Sequence, residues 1–284
     1  LQSQLTGGGD MRQCLEVEKV DRKQAGEAAS LPLISIITPC YNSEQYIAKT
    51  IESVLAQTYT NWEMLITDDC STDRSLEIVQ SFAKEDKRIK IIRHEQNCGT
   101  AKARNTAIEA SQGEYLAFLD SDDLWLPQKL EKQLSFMQKE SCDFCFARYE
   151  HIDEKGNPLG KTAKIIKKLT YKQMMLHCFT GCLTVMYKQD LNNKIYSPDL
   201  RNCNDYALFL KVLKHKKNAM GYNENLAKYR IVKNSLSRNK MNKLPSFIEM
   251  MTKHEKQNIL SAYFLLFTNQ FIKVVWKYEK KGAS

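Results

Sequence analysis

Residues 31–123 alternate apolar runs of strand length with amphipathic runs of helix length, and few folds accept that pattern. Leu31-Pro-Leu-Ile-Ser-Ile-Ile-Thr38 is an Ile-rich strand stopped by Pro39-Cys-Tyr-Asn-Ser43. Tyr46, Ile47, Thr50, Ile51, Val54 and Leu55 then recur at helical spacing, with Ser43 as the expected N-cap. Residues 62–67 predict a second strand ending in Asp68-Asp69, and residues 71–85 a helix with Leu76, Val79 and Phe82 on one face. A third strand (89–92), a turn at Asn97-Cys-Gly99 and a third helix (100–110) follow, and Gly113 breaks that helix before the next apolar run. Such alternation implies a mainly parallel sheet covered by helices on both faces. Right-handed crossovers then place every strand's carboxyl end on one edge.

The next run, Tyr115-Leu-Ala-Phe-Leu-Asp-Ser-Asp-Asp-Leu-Trp125, ends in three carboxylates, Asp120, Asp122 and Asp123. Buried strands do not finish in clustered acids unless the edge is open to water, a cation or a ligand. In open α/β sheets ligands bind at that carboxyl edge. Asp120 and Asp122 are two residues apart, so on extended chain they face the same side and suit a hard divalent cation. The other reading is an acidic turn that caps the following helix. The parallel sheet would bring Asp68 and Asp69 to the same edge, which favours the cation. Asp123 is then the carboxylate left to cap the helix.

The 284 residues are 43% hydrophobic and 26% charged, the range of a soluble globular protein. No apolar run reaches the ~18 residues of a membrane span, and no secretory signal pattern opens the chain. Nine cysteines, an odd number without disulfide-scaffold rhythm, favour a reducing cytoplasm. Cys142 and Cys145, three apart on an expected strand, would point to opposite faces. Cys178 and Cys182 are a second pair that could complete a zinc site with them. Residues 1–150 carry 17 basic against 24 acidic side chains, and residues 151–284 carry 25 against 9. A basic second half calls for an anionic partner: a phosphate-bearing substrate, a membrane surface or nucleic acid.

Four stretches are expected. Residues 1–30, with Gly7-Gly8-Gly9, read as a disordered leader or tag. Residues 31–150 form the regular α/β half, ending in a helix (127–139) and a strand (142–149). In residues 151–240 the alternation becomes irregular: a hairpin turn at Gly156-Asn-Pro158, a strand at 183–187, and a helix opened by Asp205 with Leu208, Phe209, Val212 and Leu213 inward. Residues 241–284 read as a helical extension. There Phe264, Phe267, Phe271, Trp276 and Tyr278 stand beside Lys273, Lys277, Lys280 and Lys281. That stripe is core, a homodimer contact or a face for an anionic membrane.

Four motifs, in order, resemble family 2 glycosyltransferases: Leu33-Ile-Ser-Ile-Ile-Thr-Pro-Cys-Tyr-Asn42, Asp68-Asp-Cys-Ser-Thr-Asp73, Gly99-Thr-Ala-Lys-Ala-Arg-Asn105 and Gly113-Glu-Tyr-Leu-Ala-Phe-Leu-Asp-Ser-Asp-Asp123. The resemblance spans roughly residues 31–150. It implies a GT-A fold: an α/β, Rossmann-like, mainly parallel central sheet flanked by helices, here with a C-terminal helical extension. It also implies a nucleoside-diphosphate-sugar donor, UDP-linked by preference, a Mn²⁺ or Mg²⁺ ion, and inversion at the sugar carbon. By the same resemblance Thr38, Pro39, Tyr41 and Asn42 lie against base or ribose, and Asp69 accepts a hydrogen bond from uracil. Arg104 binds the donor, Asp120 and Ser121 flank it, and Asp122 holds the metal with Asp120 as second ligand. Asn204-Asp205 resembles the family's Glu-Asp motif, with Asn in the place of Glu, and makes Asp205 the general base. Thr180 and Gly181 fall on the acceptor side. Tyr229-Arg-Ile-Val-Lys-Asn-Ser-Leu-Ser237 resembles a segment that reaches the diphosphate, through Arg230 and Lys233, although Val232 replaces its His. The Gln-x-x-Arg-Trp pattern of processive synthases is absent, so one sugar is expected per encounter.

The expected acceptor is a saccharide, a lipid-linked saccharide or a glycoprotein in bacterial surface-glycan assembly. The enzyme would be cytoplasmic or peripheral at the inner face of the plasma membrane, with no nucleic acid as partner. A nucleotidyltransferase would place a glycine-rich basic loop where Thr38–Ser43 stands, and none is there. A non-enzymatic basic module would leave the acid-ended strands unexplained.

Overall fold

The computed structural model describes residues 31–216, 218–232, 240–276 and 278–280. The expected leader, residues 1–30, and Lys233 lie outside the described residues, as do Lys277 and Lys281. From Pro32 onward the chain forms one compact unit. The first strands and helices are β1 (Ile34–Cys40), α1 (Ile47–Leu55), β2 (Trp62–Asp68), α2 (Ser75–Glu85), β3 (Ile89–Arg93), α3 (Thr100–Ala110), β4 (Tyr115–Phe118), β5 (Leu124–Trp125) and α4 (Lys129–Lys139). Then come β6 (Phe144–Ile152), β7 (Pro158–Ala163), β8 (Lys168–Leu169), α5 (Tyr171–Leu176), β9 (Met186–Lys188), α6 (Asn204–His215), β10 (Ala219–Arg230), α7 (Lys240–Glu249), α8 (Ile259–Trp276) and β11 (Tyr278–Lys280).

One sheet runs in the order β11-β7-β6-β9-β4-β1-β2-β3, with β10 branching to β5, β6 and β8. Strands β1 to β4 pair in parallel. Beyond β4 the pairing turns antiparallel through β9, β6 and β7, except that β10 runs parallel to β6. Every residue of β1 and β2 is buried, as in a strand covered on both faces. Their side chains alternate between two cores. Ile37, Leu65, Leu116 and Phe118 face one core with α6. Ile34, Ile36, Met64, Ile66 and Ala117 face the other with α1 and α4. At about 1.5–3 kcal/mol per fully buried large apolar side chain, this two-sided burial fixes the register, because a one-residue slip would exchange the two faces.

Local corrections have local causes. The carbonyl of Ser43 receives the first bonds of α1, from Tyr46 and Ile47 N–H at 2.9 Å, but its hydroxyl turns to Ser121 and caps no helix N–H. Residues 182–184 form a 3₁₀ turn, and the strand expected there begins only at Met186. β6 starts at Phe144, so Cys142 precedes it. Both cysteines bury in the same core and are free, like every described cysteine. Phe264, Phe267 and Phe271 are exposed, not core. No described helix is long and apolar enough to cross a membrane.

Candidate active site

The register gathers the carboxyl ends of β1, β2 and β4. Cys40 pairs with Asp68 and Ile37 with Phe118, and Asp69 N–H bonds the Cys40 carbonyl at 2.8 Å. The acidic turn after β4 is held from both sides. Thr50, on α1, donates its hydroxyl to the carbonyls of Ser121 (3.0 Å) and Asp123 (2.9 Å), and the Ser43 and Ser121 hydroxyls meet at 2.7 Å. From β10, Arg230 donates its N–H to the Asp123 carboxylate (2.8 Å) and its Nε to the Asp122 carbonyl (2.8 Å). The Arg230 guanidinium also holds the carbonyls of Asp153 and Glu154 and stacks 5.0 Å over Tyr46. Asp123 is therefore no helix cap. It is buried, it fastens β10 to the turn, and β5 rather than a helix follows it.

Asp120 looks the other way. Its Oδ1 accepts from Arg104 Nη2 at 3.1 Å, and Arg104, on α3, is buried rather than a surface charge. Arg104 Nη1 also donates to Asn204 Oδ1, at the start of α6. A neutral amide there accepts from Arg104 without adding charge. Asn105 clamps Ser197 by two 2.8 Å bonds and Ser197 donates to the Asn204 carbonyl at 2.7 Å, so α3 and α6 are tied by backbone as well as side chain. Cys203, at φ 59°, turns the chain into α6 and presents Asp205 two residues on.

Asp120 and Asp205 line one cavity of ≈ 530 Å³, together with Asp123, Thr180, Gly181 and Cys182. Its far wall carries an aromatic cluster that sequence reasoning missed. Tyr149, His151 and Tyr229 have ring centroids 5.5–5.9 Å apart. Gly181 is required there by packing: a Cβ would sit 2.3 Å from the Tyr149 ring. Rings on a cavity wall offer flat apolar faces and polar edges to a bound molecule.

Electrostatics follow from crowding. Burial, and then the charge of Asp120, push the Asp122 carboxyl up to about 6 against the pull of Arg230. Asp123 lies well above the ordinary carboxylate range through burial, Asp122 and Asp120. Asp120 is raised by burial and by Asp205, and Arg104 opposes this. These carboxylates repel one another, and a hard cation with oxygen ligands would relieve the repulsion. The donor set of Asp120 and Asp122 therefore fits Mg²⁺ or Mn²⁺, which takes one or two carboxylates and completes its shell with substrate phosphates.

Among the described residues, the group of three ligand atoms within 4.8 Å of one another is elsewhere: Asp69, His94 and Cys98. There the hydrogen bonds already account for the geometry. Asp69 accepts from His94 Nδ1 (2.7 Å), Cys98 N–H (2.8 Å) and Gly99 N–H (2.7 Å), and His94 Nε2 meets Thr106 at 2.9 Å. Asp69 thus holds the turn that launches α3 and aims Arg104. His94 was missed because it stands alone in sequence. Its spacing to Asp69 carries no signal until β2 and β3 lie side by side.

The remaining expected residues lie along the β1–β2 edge. Thr38 is buried, and its Oγ1 has no hydrogen-bond partner among the described residues. Pro39 is buried and Tyr41 is 47% exposed. Asn42, at φ 47°, accepts from Thr72 N–H at 2.9 Å and locks the β1 loop to the start of α2. The acidic turn therefore separates two spaces: an edge with Thr38, Tyr41 and Asp69, and a cavity with Asp205, Thr180 and Gly181. Arg104 and Asn204 stand behind the cavity, and Arg230 braces the turn.

The chain is similar to known proteins. The family model "Glycosyl transferase family 2" matches residues 35–213. TuaG of Bacillus subtilis, a glycosyltransferase named for teichuronic acid biosynthesis, is 47% identical over 209 residues, 74% of this chain and 83% of its own. WfgD of Escherichia coli, a UDP-Glc:α-D-GlcNAc-diphosphoundecaprenol β-1,3-glucosyltransferase, is 38% identical over 235 residues, covering 82% and 91%. The S. aureus TarS 1-349 structure with UDP-GlcNAc matches with TM-score 0.64 at 20% identity, over 86% of this chain and 75% of that one. At that identity it speaks for the GT-A fold alone. The chain belongs to glycosyltransferase family 2 and is a glycosyltransferase.

Proposed function

We propose that this enzyme moves one hexosyl or N-acetylhexosaminyl unit per encounter from a UDP-sugar to a hydroxyl of a lipid-linked saccharide, with inversion. The observation that carries this reading is the shared cavity. Asp120, at the tip of the acidic turn, and Asp205, at the head of α6, open into the same ≈ 530 Å³ space. WfgD takes UDP-Glc and a diphosphoundecaprenol-linked sugar by its name, and TarS was solved with UDP and with UDP-GlcNAc. The first supports a UDP-sugar and a lipid-linked acceptor; the second shares the fold. A glycoprotein acceptor has no comparable support.

In this reading residues 31–150 bind the donor, residues 151–240 the acceptor, and residues 241–284 extend the acceptor side. Thr38, Pro39, Tyr41, Asn42 and Asp69 receive the nucleoside. The unpartnered Thr38 hydroxyl and the exposed Tyr41 ring are the groups there with unused capacity. Asp122 and Asp120 would hold Mn²⁺ or Mg²⁺, which when bound neutralises charge developing on the departing diphosphate. The mannosyltransferase of Pyrobaculum calidifontis, of the same fold, was solved with GDP-Man and Mn²⁺. Arg104 fixes the orientation of Asp120, and Asn204 fixes Arg104. Asp205 takes the proton of the attacking hydroxyl, within a cavity whose rings hold the acceptor sugar. The enzyme works at the cytoplasmic face of the membrane, where such acceptors are built.

The test is a panel of UDP-glucose, UDP-N-acetylglucosamine and GDP-mannose offered with a diphospholipid-linked N-acetylhexosamine, with nucleoside diphosphate release as readout. Acceptor-dependent release from a UDP-sugar is expected. Equal release from GDP-mannose, or release indifferent to the acceptor, would overturn the reading.

A further inference from the structure

Helix α8 has two faces with different tasks. Ala262 and Leu265 are buried in the core shared with α6 and α7. Leu266, Asn269, Gln270 and Lys273 continue that face and line the cavity that holds Asp120 and Asp205. The helix is firmly seated. Just before it, buried Glu255 pairs with Lys214 at 2.6 Å and accepts from the Tyr171 hydroxyl. The opposite face carries Leu260, Phe264, Phe267, Phe271 and Val275, at i, i+4, i+7, i+11 and i+15, each 62–79% exposed. Tyr263 and Ile259 widen it. A contiguous apolar stripe of this kind marks an interaction surface.

We propose that this outer face of α8 lies in the surface of an anionic bilayer, so that the wall of the acceptor cavity is itself the membrane-binding element. Charge selects the occupant. Residues 151–284 carry 25 basic against 9 acidic side chains, and α8 contains no acidic residue. Lys253 and Lys256 are exposed just before the helix, and Lys277, Lys280 and Lys281 follow in sequence. A second copy would bring an equally basic half against this one, whereas an anionic headgroup layer attracts it. The helix is too short and too polar on its inner face to span a bilayer, so it lies in the interface plane with aromatic side chains inward to the lipid. In that pose the opposite face, and with it the cavity, sits at headgroup height, where the saccharide of a lipid-linked acceptor emerges. This placement rests on the proposed lipid-linked acceptor.

The experiment is vesicle flotation of residues 1–284 with phosphatidylglycerol-containing and pure phosphatidylcholine vesicles. A Phe264→Gln/Phe267→Gln/Phe271→Gln variant is the control, since its three changes are exposed and lie outside the cavity lining. The wild type is expected to float with anionic vesicles and the variant to partition at least ten-fold less. Melting temperature and nucleoside diphosphate release with a water-soluble acceptor should stay unchanged. Those two measurements fail separately if the reaction, rather than the membrane pose, has been misassigned. No flotation at low salt would overturn the proposal. So would a wild-type dimer that the triple variant turns into a monomer without any change in vesicle binding.

Discussion

The two sides of the sheet are built on different principles. From β1 to β4 the chain runs as parallel strands joined by helices, with β1, β2 and β4 buried on both faces, and its clustered carboxylates appear where β2 and β4 stop. From β5 to β10 the pairing is mixed and bulged, and the residues that line or brace the cavity come from three kinds of element: Gly181 from a loop, Asp205 from a helix head, Tyr229 and Arg230 from the end of a strand. The first side is a rigid platform with one acidic turn. The second is an irregular enclosure shaped around a cavity. If the first side binds the donor and the second the acceptor, as proposed, the fold keeps one task on regular elements and the other on loops.

The comparison can be broken at its strongest point by Asp205→Asn. If the enclosure supplies the base, steady-state transfer falls by about 10²–10⁴ with donor KM nearly unchanged; a fully active variant would remove Asp205 from the mechanism. Arg104 ties the two sides together, so Arg104→Ala should cost roughly 3 kcal/mol in urea denaturation, because Asp120 and Asn204 lose a buried partner. A loss confined to activity would show the two sides to be less coupled than their contacts suggest. Gly181→Ala presses a methyl into the Tyr149 ring and should raise acceptor KM about ten-fold while donor KM holds. An equal rise in both would place Gly181 on the donor side.

The smallest effect is a gain. The Asp122 carboxyl sits at about 6 in the fold against an ordinary 3.8. A raised carboxyl pKa favours the fold while the group is protonated, and this contribution is lost as pH rises from about 4 through 6. Without metal, Asp122→Asn should therefore be more stable than wild type at pH 7, by on the order of 1 kcal/mol. The gap should vanish below about pH 4. Chemical denaturation at the two pH values measures it, and a destabilised variant at pH 7 would contradict the crowding.

How far the sequence is legible follows the same division. Thr100–Ala110 was readable to the residue because its helix begins at a Gly turn and packs a regular face. The acidic ends of β2 and β4 were readable because apolar runs stop there abruptly. β10 was not: Ala-Met-Gly-Tyr-Asn-Glu-Asn-Leu-Ala-Lys-Tyr-Arg has no steady alternation, since register shifts between Tyr222, Asn225 and Ala227 break the period of two. The role of Asp123 was misread for a related reason. Its partner, Arg230, is 107 positions away, and a local motif offers only a helix cap. His94 and the Tyr149–His151–Tyr229 cluster exist as neighbours only once strands pair.

In the proposed mechanism donor binding belongs to the acidic turn and transfer to Asp205, on two sides of one cavity. Calorimetric titration of UDP into wild type, Asp122→Asn and Asp205→Asn, with and without Mn²⁺, tests it most directly. At least ten-fold tighter binding with Mn²⁺ is expected in wild type and Asp205→Asn, and no gain from Mn²⁺ in Asp122→Asn. Equal, metal-independent affinity in wild type, or loss of UDP binding in Asp205→Asn, would contradict it.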